Sequence, residues 1–110
     1  MSYKVIVTEP FERKIKRLAK KHKSLKADLT EMIEKLSENP TLGILITKDV
    51  YKIRFAISSK GKGKSSGARL ITFVRIVNET VFLIDIFDKS EQSNISDKEL
   101  KLLIEALIID

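Results

Sequence analysis

Seven lysines and arginines, and no aspartate or glutamate, lie between Val50 and Asn78. Four of these cations fall in one Gly/Ser-rich stretch, SSKGKGKSSGARL, which runs from Ser58 to Leu70. Arginine forks bind phosphate oxygens in a bidentate way, and a lysine whose pKa is lowered by cationic neighbours can act as an acid or a base. Glycines let the backbone approach a phosphate closely. These residue types indicate a site for a phosphate-bearing ligand.

Cleavage of a phosphodiester without a metal requires a base for the attacking hydroxyl, a donor to the leaving oxygen and cations on the phosphorane charge. The cationic residues could supply these functions if the ends of their elements meet in one concave site. Catalysis and binding without catalysis are equally open here, because basic Gly/Ser loops occur in many binding proteins. The candidate residues are Lys52, Arg54, Lys60, Lys62, Lys64, Arg69 and Lys89.

Residues for other chemistries are sparse. The sequence has one histidine, His22, and no cysteine, which argues against a disulfide framework or a thiolate metal site. The basic half also lacks acidic pairs at metal-ligand spacing, so a metal-dependent nuclease centre is not expected. We therefore expect no metal and no cofactor. We interpret His22, in the run KKHK, as a surface residue that stabilises a helix end.

Length and charge limit the class of protein. A chain of 110 residues predicts one domain, residues 1–110, with a single core. Its start, MSYKVIVTEP, lacks the pattern of a signal peptide, and no apolar run approaches the ~20 residues of a membrane helix. We expect a cytoplasmic protein with no membrane partner. The net charge is +6, which favours a polyanionic partner such as nucleic acid; a solvated basic face is the alternative.

Hydrophobic periodicity predicts the elements that position the cations. Thr8 is expected to cap the first helix, Asn78-Glu79 to form a tight hairpin link, and Ser96 with Glu99 to form a capping box. Apolar strands between Leu70 and Phe87 indicate a sheet covered on both faces. The prediction is an α+β fold of order βααβββα, in which a helical hairpin packs on a mainly antiparallel sheet. The predicted strands are 3–7, 50–57, 68–77 and 80–87. The first predicted helix begins after residue 8, the second runs from about 24 to 39, and the third spans 96–109.

Two stretches, VYKIRFAISSKGKGKSSGARLITFV and VFLIDIFDKSEQSNISDKELKLL, resemble the RelE/HigB branch of the RelE/ParE superfamily, the toxins of bacterial type II toxin-antitoxin modules. Members of this branch commonly carry a K-I-R strand, a Gly/Lys loop, a G-x-R strand start and an aromatic-x-K-S-E segment before a leucine-rich helix. The resemblance implies a small RelE-like fold. It also implies an mRNA endonuclease of the ribosomal A site that uses the RNA 2′-hydroxyl as nucleophile and no metal.

The resemblance further implies roles for individual residues. Arg54 and Arg69 match arginines that bind and stabilise the phosphate, Lys62 or Lys64 is the favoured acid or base, and Lys89 matches the lysine after the last strand. These five are the predicted catalytic residues. The predicted RNA-binding residues are Lys52, Lys60 and Phe87, together with Arg13, Lys16, Arg17 and Lys20 of the first helix, which would contact the ribosomal RNA backbone.

Two positions depart from the pattern of this family. The family often has tyrosine where this chain has Phe87, and a small neutral residue is common in place of Asp88. The ring of Phe87 can stack on an mRNA base, but without a hydroxyl it can neither transfer a proton nor donate a hydrogen bond to phosphate, and the sequence leaves open whether activity is reduced. A simple position in the core is the alternative for Phe87.

The implied partners are a cognate antitoxin protein, the ribosome and mRNA. Antitoxins are frequently acidic, partly disordered chains that fold on their toxin. Two other functions stay open. The ParE branch inhibits DNA gyrase, although its members usually lack the long basic Gly/Lys loop. A partner-binding protein that has lost activity would have an eroded cationic set, whereas Arg54, Arg69 and the three loop lysines are all present.

Overall fold

A computed structural model of the chain describes residues 2–61 and 67–108. Within these residues, three helices and five strands follow in the order βααββββα, with one 3₁₀ turn, Ser58–Lys60, after the third strand. The bounds are β1 Lys4–Val7, α1 Glu9–Lys21, α2 Leu25–Glu38, β2 Ile44–Thr47, β3 Val50–Phe55, β4 Ala68–Arg75, β5 Thr80–Asp88 and α3 Asp97–Ile108. None of the helices in the described ranges has the length and apolarity that a membrane span requires.

The five strands form one sheet in the order β1-β5-β4-β3-β2. Strand β1 pairs with β5 in parallel, and the other three pairings are antiparallel. The long strand β4 is central and pairs with β3 and β5. The predicted mainly antiparallel sheet is confirmed.

Helices cover both faces of the sheet. On one face α1 and α2 bury a stripe that includes Phe11, Leu18 and Leu36 against sheet residues such as Leu70 and Ile86. On the other face α3 packs on a smaller cluster, formed by Val50, Ile71, Ile84, Phe87, Ile95 and Leu100. The α+β class and the two covered faces agree with the prediction, because the strand sequences are apolar on both sides.

The helix ends follow local sequence signals in most places. Helix α2 ends at Glu38, and its C-cap residue Asn39 directly precedes Pro40. At the start of α3 the Glu99 backbone N–H donates to the Ser96 hydroxyl at 3.1 Å. Thr8 occupies the N-cap position of α1, but its hydroxyl donates to the Leu83 carbonyl at 2.8 Å. The predicted side-chain cap is therefore wrong, and the Thr8 hydroxyl instead links the start of α1 to β5 by a hydrogen bond.

Two parts of the strand prediction are also wrong. The order βααβββα omits β2, a strand whose four residues are all exposed and which therefore has no alternating pattern. The link between β4 and β5 is also longer than the predicted Asn78-Glu79 turn. Arg75 pairs with Thr80, so residues 76–79 form a four-residue loop in which Glu79 has a φ of 49°.

Gly67 sets the spacing between the start of β4 and the end of β3. A Cβ added at this residue would lie 2.3 Å from the Phe55 carbonyl oxygen and 3.0 Å from the Ala56 Cα. Both neighbours are backbone atoms and cannot rotate away. The Gly67 carbonyl also accepts a hydrogen bond from the Lys89 N–H at 3.1 Å, so this glycine joins three strand ends.

We expect Gly67→Ala to lower the free energy of unfolding by about 3 kcal/mol, because β3 and β4 must move apart to admit the methyl group. Gly61→Ala is the matched control: apart from its chain neighbours, no atom of the described residues lies within 4 Å of its added Cβ, and its φ of 67° is the unfavourable feature. That control should lose about 1 kcal/mol. Urea unfolding measures both values, and equal losses in the two variants would contradict the steric argument.

Candidate cationic site at one end of the sheet

Arg54 and Arg69 lie directly opposite one another on β3 and β4. Opposed residues of an antiparallel pair point to the same face of a sheet, so the two arginines share one face. Phe87 of β5 is opposite Arg69 on its other side and packs in the cluster beneath α3. The arginine pair therefore lies on the α3 side of the sheet, at the end where β3 finishes and β4 begins.

The environment of Arg69 is unusual for an arginine. Only 3% of this residue is exposed, whereas Arg54 is exposed. Burial lowers the pKa of Arg69, and the positive charge of Arg54 lowers it further by a smaller amount. Its Nη1 donates to the Ala68 carbonyl at 3.3 Å. Like charges directly opposite one another destabilise a sheet, so a bound anion would relieve the repulsion between these two arginines.

Two other predicted cations lie near this pair. Lys52 is two residues before Arg54 on β3 and so lies on the same face. Lys89 is exposed and follows the last residue of β5, where its backbone is tied to Gly67. A cavity of about 560 Å³ runs along the outer edge of β3 towards α2, and Lys52 and Arg54 line it while Arg69 does not. The structure thus gathers the arginine pair, Lys52 and Lys89 at one end of the sheet.

Lys60 lies apart from the arginine pair and is bound to a buried carboxylate. Its Nζ donates to Asp88 Oδ1 at 3.0 Å, and only 17% of its side chain is exposed. Asp88 follows Phe87 on β5, so its side chain points to the opposite face, towards α1. There its Oδ2 lies 2.9 Å from His22 Nε2. The surroundings of Lys60 favour a role in holding the chain over a direct phosphate contact.

Asp88 accepts hydrogen bonds from three separate parts of the chain. Besides Lys60 and His22, the backbone N–H and the hydroxyl of Ser90 donate to its Oδ1 at 3.0 and 2.8 Å. Burial would raise the pKa of Asp88, but the bonds from Ser90, Lys60 and His22 outweigh it and hold this pKa well below its usual range. The carboxylate is therefore charged at every physiological pH.

A second carboxylate holds the other end of the 3₁₀ turn. Asp28 of α2 accepts from the Ser58 hydroxyl at 2.6 Å and from the Ser58 N–H at 2.9 Å, and Ser24 adds a hydroxyl bond at 2.7 Å. Although burial would raise the pKa of Asp28, the bonds from Ser58 and Ser24 keep this pKa below its usual range. The turn that precedes the basic loop is thus attached to both α2 and β5.

The structure describes some of the other predicted site residues and not others. Lys62 and Lys64, the candidates for acid or base, lie outside the described residues. Phe87 is 2% exposed and belongs to the cluster beneath α3, which favours the core interpretation of this ring over stacking on a base. The described residues contain no group of three or more His, Cys, Asp or Glu side chains that could hold a metal ion.

The basic face of α1 is partly neutralised by ion pairs. Arg13 pairs with Glu9 at 2.9 Å and Lys16 with Glu12 at 3.9 Å, both one helical turn away. Arg17 lies 3.5 Å from Glu91, a residue that also pairs with Lys21. Such exposed pairs are weak and screened by salt, so these cations can exchange partners. The fourth predicted residue of this face, Lys20, is exposed.

Sequence reasoning missed the groups that hold this end of the sheet. His22 lies at the end of α1, as the interpretation as a helix-end residue expects, but its side chain is 11% exposed and contacts Asp88, so the predicted surface position is wrong. Asp88 was noted only as a departure from a family pattern. A local signal existed for it, since an Asp whose side chain accepts from the backbone N–H two residues on is typical of an Asx turn.

Fold and site together define a small α+β protein with a cationic end, and the comparisons with known proteins identify its family. Residues 9–107 match the model of the RelE toxin of the RelE/RelB toxin-antitoxin system. This match covers most of the chain, and the chain belongs to the RelE toxin family. The resemblance inferred from the sequence is confirmed.

Solved structures of E. coli proteins share the fold. A double arginine-to-alanine mutant of the toxin RelE in the free state is 16% identical, with a TM-score of 0.64 over 97% of this chain and 99% of that one. The same toxin with an antitoxin RelBc peptide is 19% identical, with a TM-score of 0.58 over 100% and 97%. The intact RelBE toxin-antitoxin complex is 24% identical, with a TM-score of 0.51 over 79% and 96%. At these identities the likeness shows the fold.

Replacement of Asp88 by Asn should lower the free energy of unfolding by about 2–4 kcal/mol near neutral pH, because an uncharged amide cannot satisfy its four donors. A carboxyl whose pKa is depressed by folding contributes stability above its unfolded pKa, roughly 3.9, and loses it as the pH falls through the folded value. The difference between wild type and Asp88→Asn should therefore shrink below about pH 4.

Urea unfolding at a series of pH values measures this difference. Asp85→Asn serves as the comparison, because Asp85 is also buried on β5. Burial raises the pKa of Asp85 by more than the hydrogen bond and charge of Lys14 lower it, so its shift is opposite to that of Asp88. An Asp88→Asn deficit that stayed constant down to about pH 2 would contradict a charged Asp88 as the source of the stability.

Proposed function

We propose that this protein is the toxin of a type II toxin-antitoxin module and acts as a metal-independent, ribosome-dependent mRNA endonuclease that inhibits translation. Membership of the RelE toxin family supports the class of protein. The observation that carries the chemistry is the cross-strand pair of Arg54 and Arg69 at the cationic end of the sheet. Since its substrate is translated mRNA, the proposed place of action is the cytoplasm.

The proposed reaction is an internal transesterification. The 2′-oxygen of the RNA forms a bond to the adjacent phosphorus while a base takes its proton. The bond from phosphorus to the 5′-oxygen breaks, and an acid donates a proton to this leaving oxygen. The products are a 2′,3′-cyclic phosphate and a 5′-hydroxyl. Negative charge accumulates on the phosphorane oxygens, which is the charge that paired guanidinium groups stabilise best.

The proposed roles follow from position and charge. Arg54, which is exposed, would meet the phosphate first, and Arg69, which is held in a buried environment, would supply a fixed charge beneath it. A charge in a site of low dielectric acts more strongly than one in water, and a fixed charge needs no reorganisation during the reaction. Lys62 and Lys64 remain the acid and base candidates in this proposal, with Lys89 as a further cation.

The proposed macromolecular contacts use the remaining cations. Arg13, Lys16, Arg17 and Lys20 would contact the ribosomal RNA backbone, a role that does not depend on sequence and weakens with salt. The proposed protein partner is a cognate antitoxin. The net charge of +6 favours an acidic chain in that role, and E. coli RelE has been solved with an antitoxin RelBc peptide.

The proposal is tested by adding the purified protein to programmed ribosomes and mapping mRNA ends by primer extension, with ribosome-free mRNA as a parallel sample. Cuts that appear only with ribosomes are expected. Absence of cuts in both samples would overturn the endonuclease proposal. A DNA supercoiling assay would then separate gyrase inhibition from binding without catalysis.

Arg69→Ala and Arg54→Ala should each remove about 2–4 kcal/mol of transition-state stabilisation, roughly a 30- to 1000-fold loss of cleavage rate. Arg75→Ala is the matched control, because Arg75 lies on the same strand and is exposed at the opposite end of the sheet. It should retain the wild-type rate. Equal losses in the Arg69→Ala and Arg75→Ala variants, measured by primer extension under single-turnover conditions, would contradict the assigned site.

A further inference from the structure

Asp88 connects the basic loop to the strand that carries Arg69. Lys60, the last residue of the 3₁₀ turn, binds this carboxylate directly, and the Lys60 and Gly61 N–H groups close the turn on the Ile57 and Ser58 carbonyls at 2.9 and 3.2 Å. The position of Lys60 therefore fixes where the chain leaves the turn.

The backbone of Asp88 belongs to the sheet. Its register partner on β4 is Ala68, the residue directly before Arg69. Asp88 and Arg69 therefore belong to the same β4–β5 ladder, one register position apart. Because a β-ladder is rigid compared with a loop, the carboxylate sets a fixed distance between Lys60 on one face and Arg69 on the other.

The same carboxylate also holds the end of α1. His22 is the C-cap residue of that helix and approaches Asp88 Oδ2, while Lys60 and Ser90 occupy Oδ1. A buried ionic cluster of this kind is a poor source of stability, since well-packed apolar residues of similar volume often do as well or better. Its value lies in the single arrangement that it enforces on three elements.

We propose that Asp88 is a positioning residue which, through Lys60, holds the start of the basic loop in a fixed relation to Arg54 and Arg69. This inference rests on the proposed endonuclease function for its effect on rate, but the positioning itself can be measured without it. Asp88 touches no substrate in this proposal. It acts by fixing the end of the 3₁₀ turn, Lys60 and Gly61, relative to the arginine pair, in the way that supporting hydrogen bonds orient the ligands of a metal.

The chain offers a matched control on the same strand. Asp85 is also fully buried on β5, and its carboxylate binds Lys14 of α1. Within the described part of the chain, the ion pairs of Asp85 and Lys14 join β5, α1 and Glu99 of α3, not the 3₁₀ turn. Asp85→Asn thus removes a buried charge and an ion pair without disturbing Lys60, so it separates loss of position from general loss of stability.

The first experiment measures hydrogen exchange at the amides of Lys60 and Gly61 in the full chain. Asp88→Asn and Lys60→Met should each speed exchange at these amides by about tenfold, because each removes the charged hydrogen bond that restrains the turn. Asp85→Asn should leave them unchanged. Lys60→Met changes only a side chain at the rim of the cluster, so it tests the proposal even if Asp88→Asn does not fold.

The second experiment measures ribosome-dependent cleavage with the same variants. Asp88→Asn should lower kcat by on the order of 10- to 100-fold with little change in KM, since misplaced groups slow the chemical step more than binding. The double variant Asp88→Asn with Lys60→Met should be no slower than Lys60→Met alone, whereas Asp85→Asn should keep the wild-type kcat.

The outcomes separate this inference from the proposed function. Unchanged exchange at the Lys60 and Gly61 amides in both variants would overturn the positioning role, whatever the cleavage data. Additive losses of kcat in the double variant, or equal losses in Asp85→Asn and Asp88→Asn, would also overturn it. A wild-type protein that cleaves no mRNA would instead overturn the proposed function, and the exchange data would still decide the role of Asp88.

Discussion

The pairing of β4 with β3 on one side and β5 on the other is the interaction on which both cores and the cationic site depend. Through these ladders Arg69 is set between Arg54 and Phe87. Because successive strand residues point to opposite faces, one step along β5 leads from Phe87, beneath α3, to Asp88, which faces α1. Two layers of the fold thus meet at this end of the sheet, and Gly67 keeps the strands close enough for both.

Part of this arrangement could be predicted because it follows from local periodicity. Arg54 and Arg69 lie near the facing ends of two predicted strands that are consecutive in the sequence, and antiparallel pairing of such strands brings these ends together. The buried stripes of α1 and α2 follow from apolar residues at helical spacing. Each helix extends about as far as this spacing continues in the sequence. The fold class and the arginine pair were therefore accessible from single segments of sequence.

The remainder depends on contacts between distant segments. Asp88 meets Lys60 across 28 residues and His22 across 66, and no local pattern specifies either contact. Strand β2 is exposed along its whole length, so burial left no period in its sequence. The loop after β4 contains Ile76 and Val77, which are 65% and 96% exposed although their types favour strands. In each case tertiary pairing, rather than local preference, decides the structure.

Charged residues that are far apart in the sequence form ion pairs in the fold. Three acids of the C-terminal third, Asp85, Asp88 and Glu91, each bind cations of α1 or of the 3₁₀ turn. The pairs of Glu91 are partly exposed, so a bound polyanion could take the place of Glu91 on their cations at small cost. The buried pairs of Asp88 cannot exchange in this way, because a lone carboxylate in the interior would be strongly destabilising. The cations in these ion pairs therefore divide into a set that is available to a polyanion and a set, with Lys60 among them, that fixes the shape of the site.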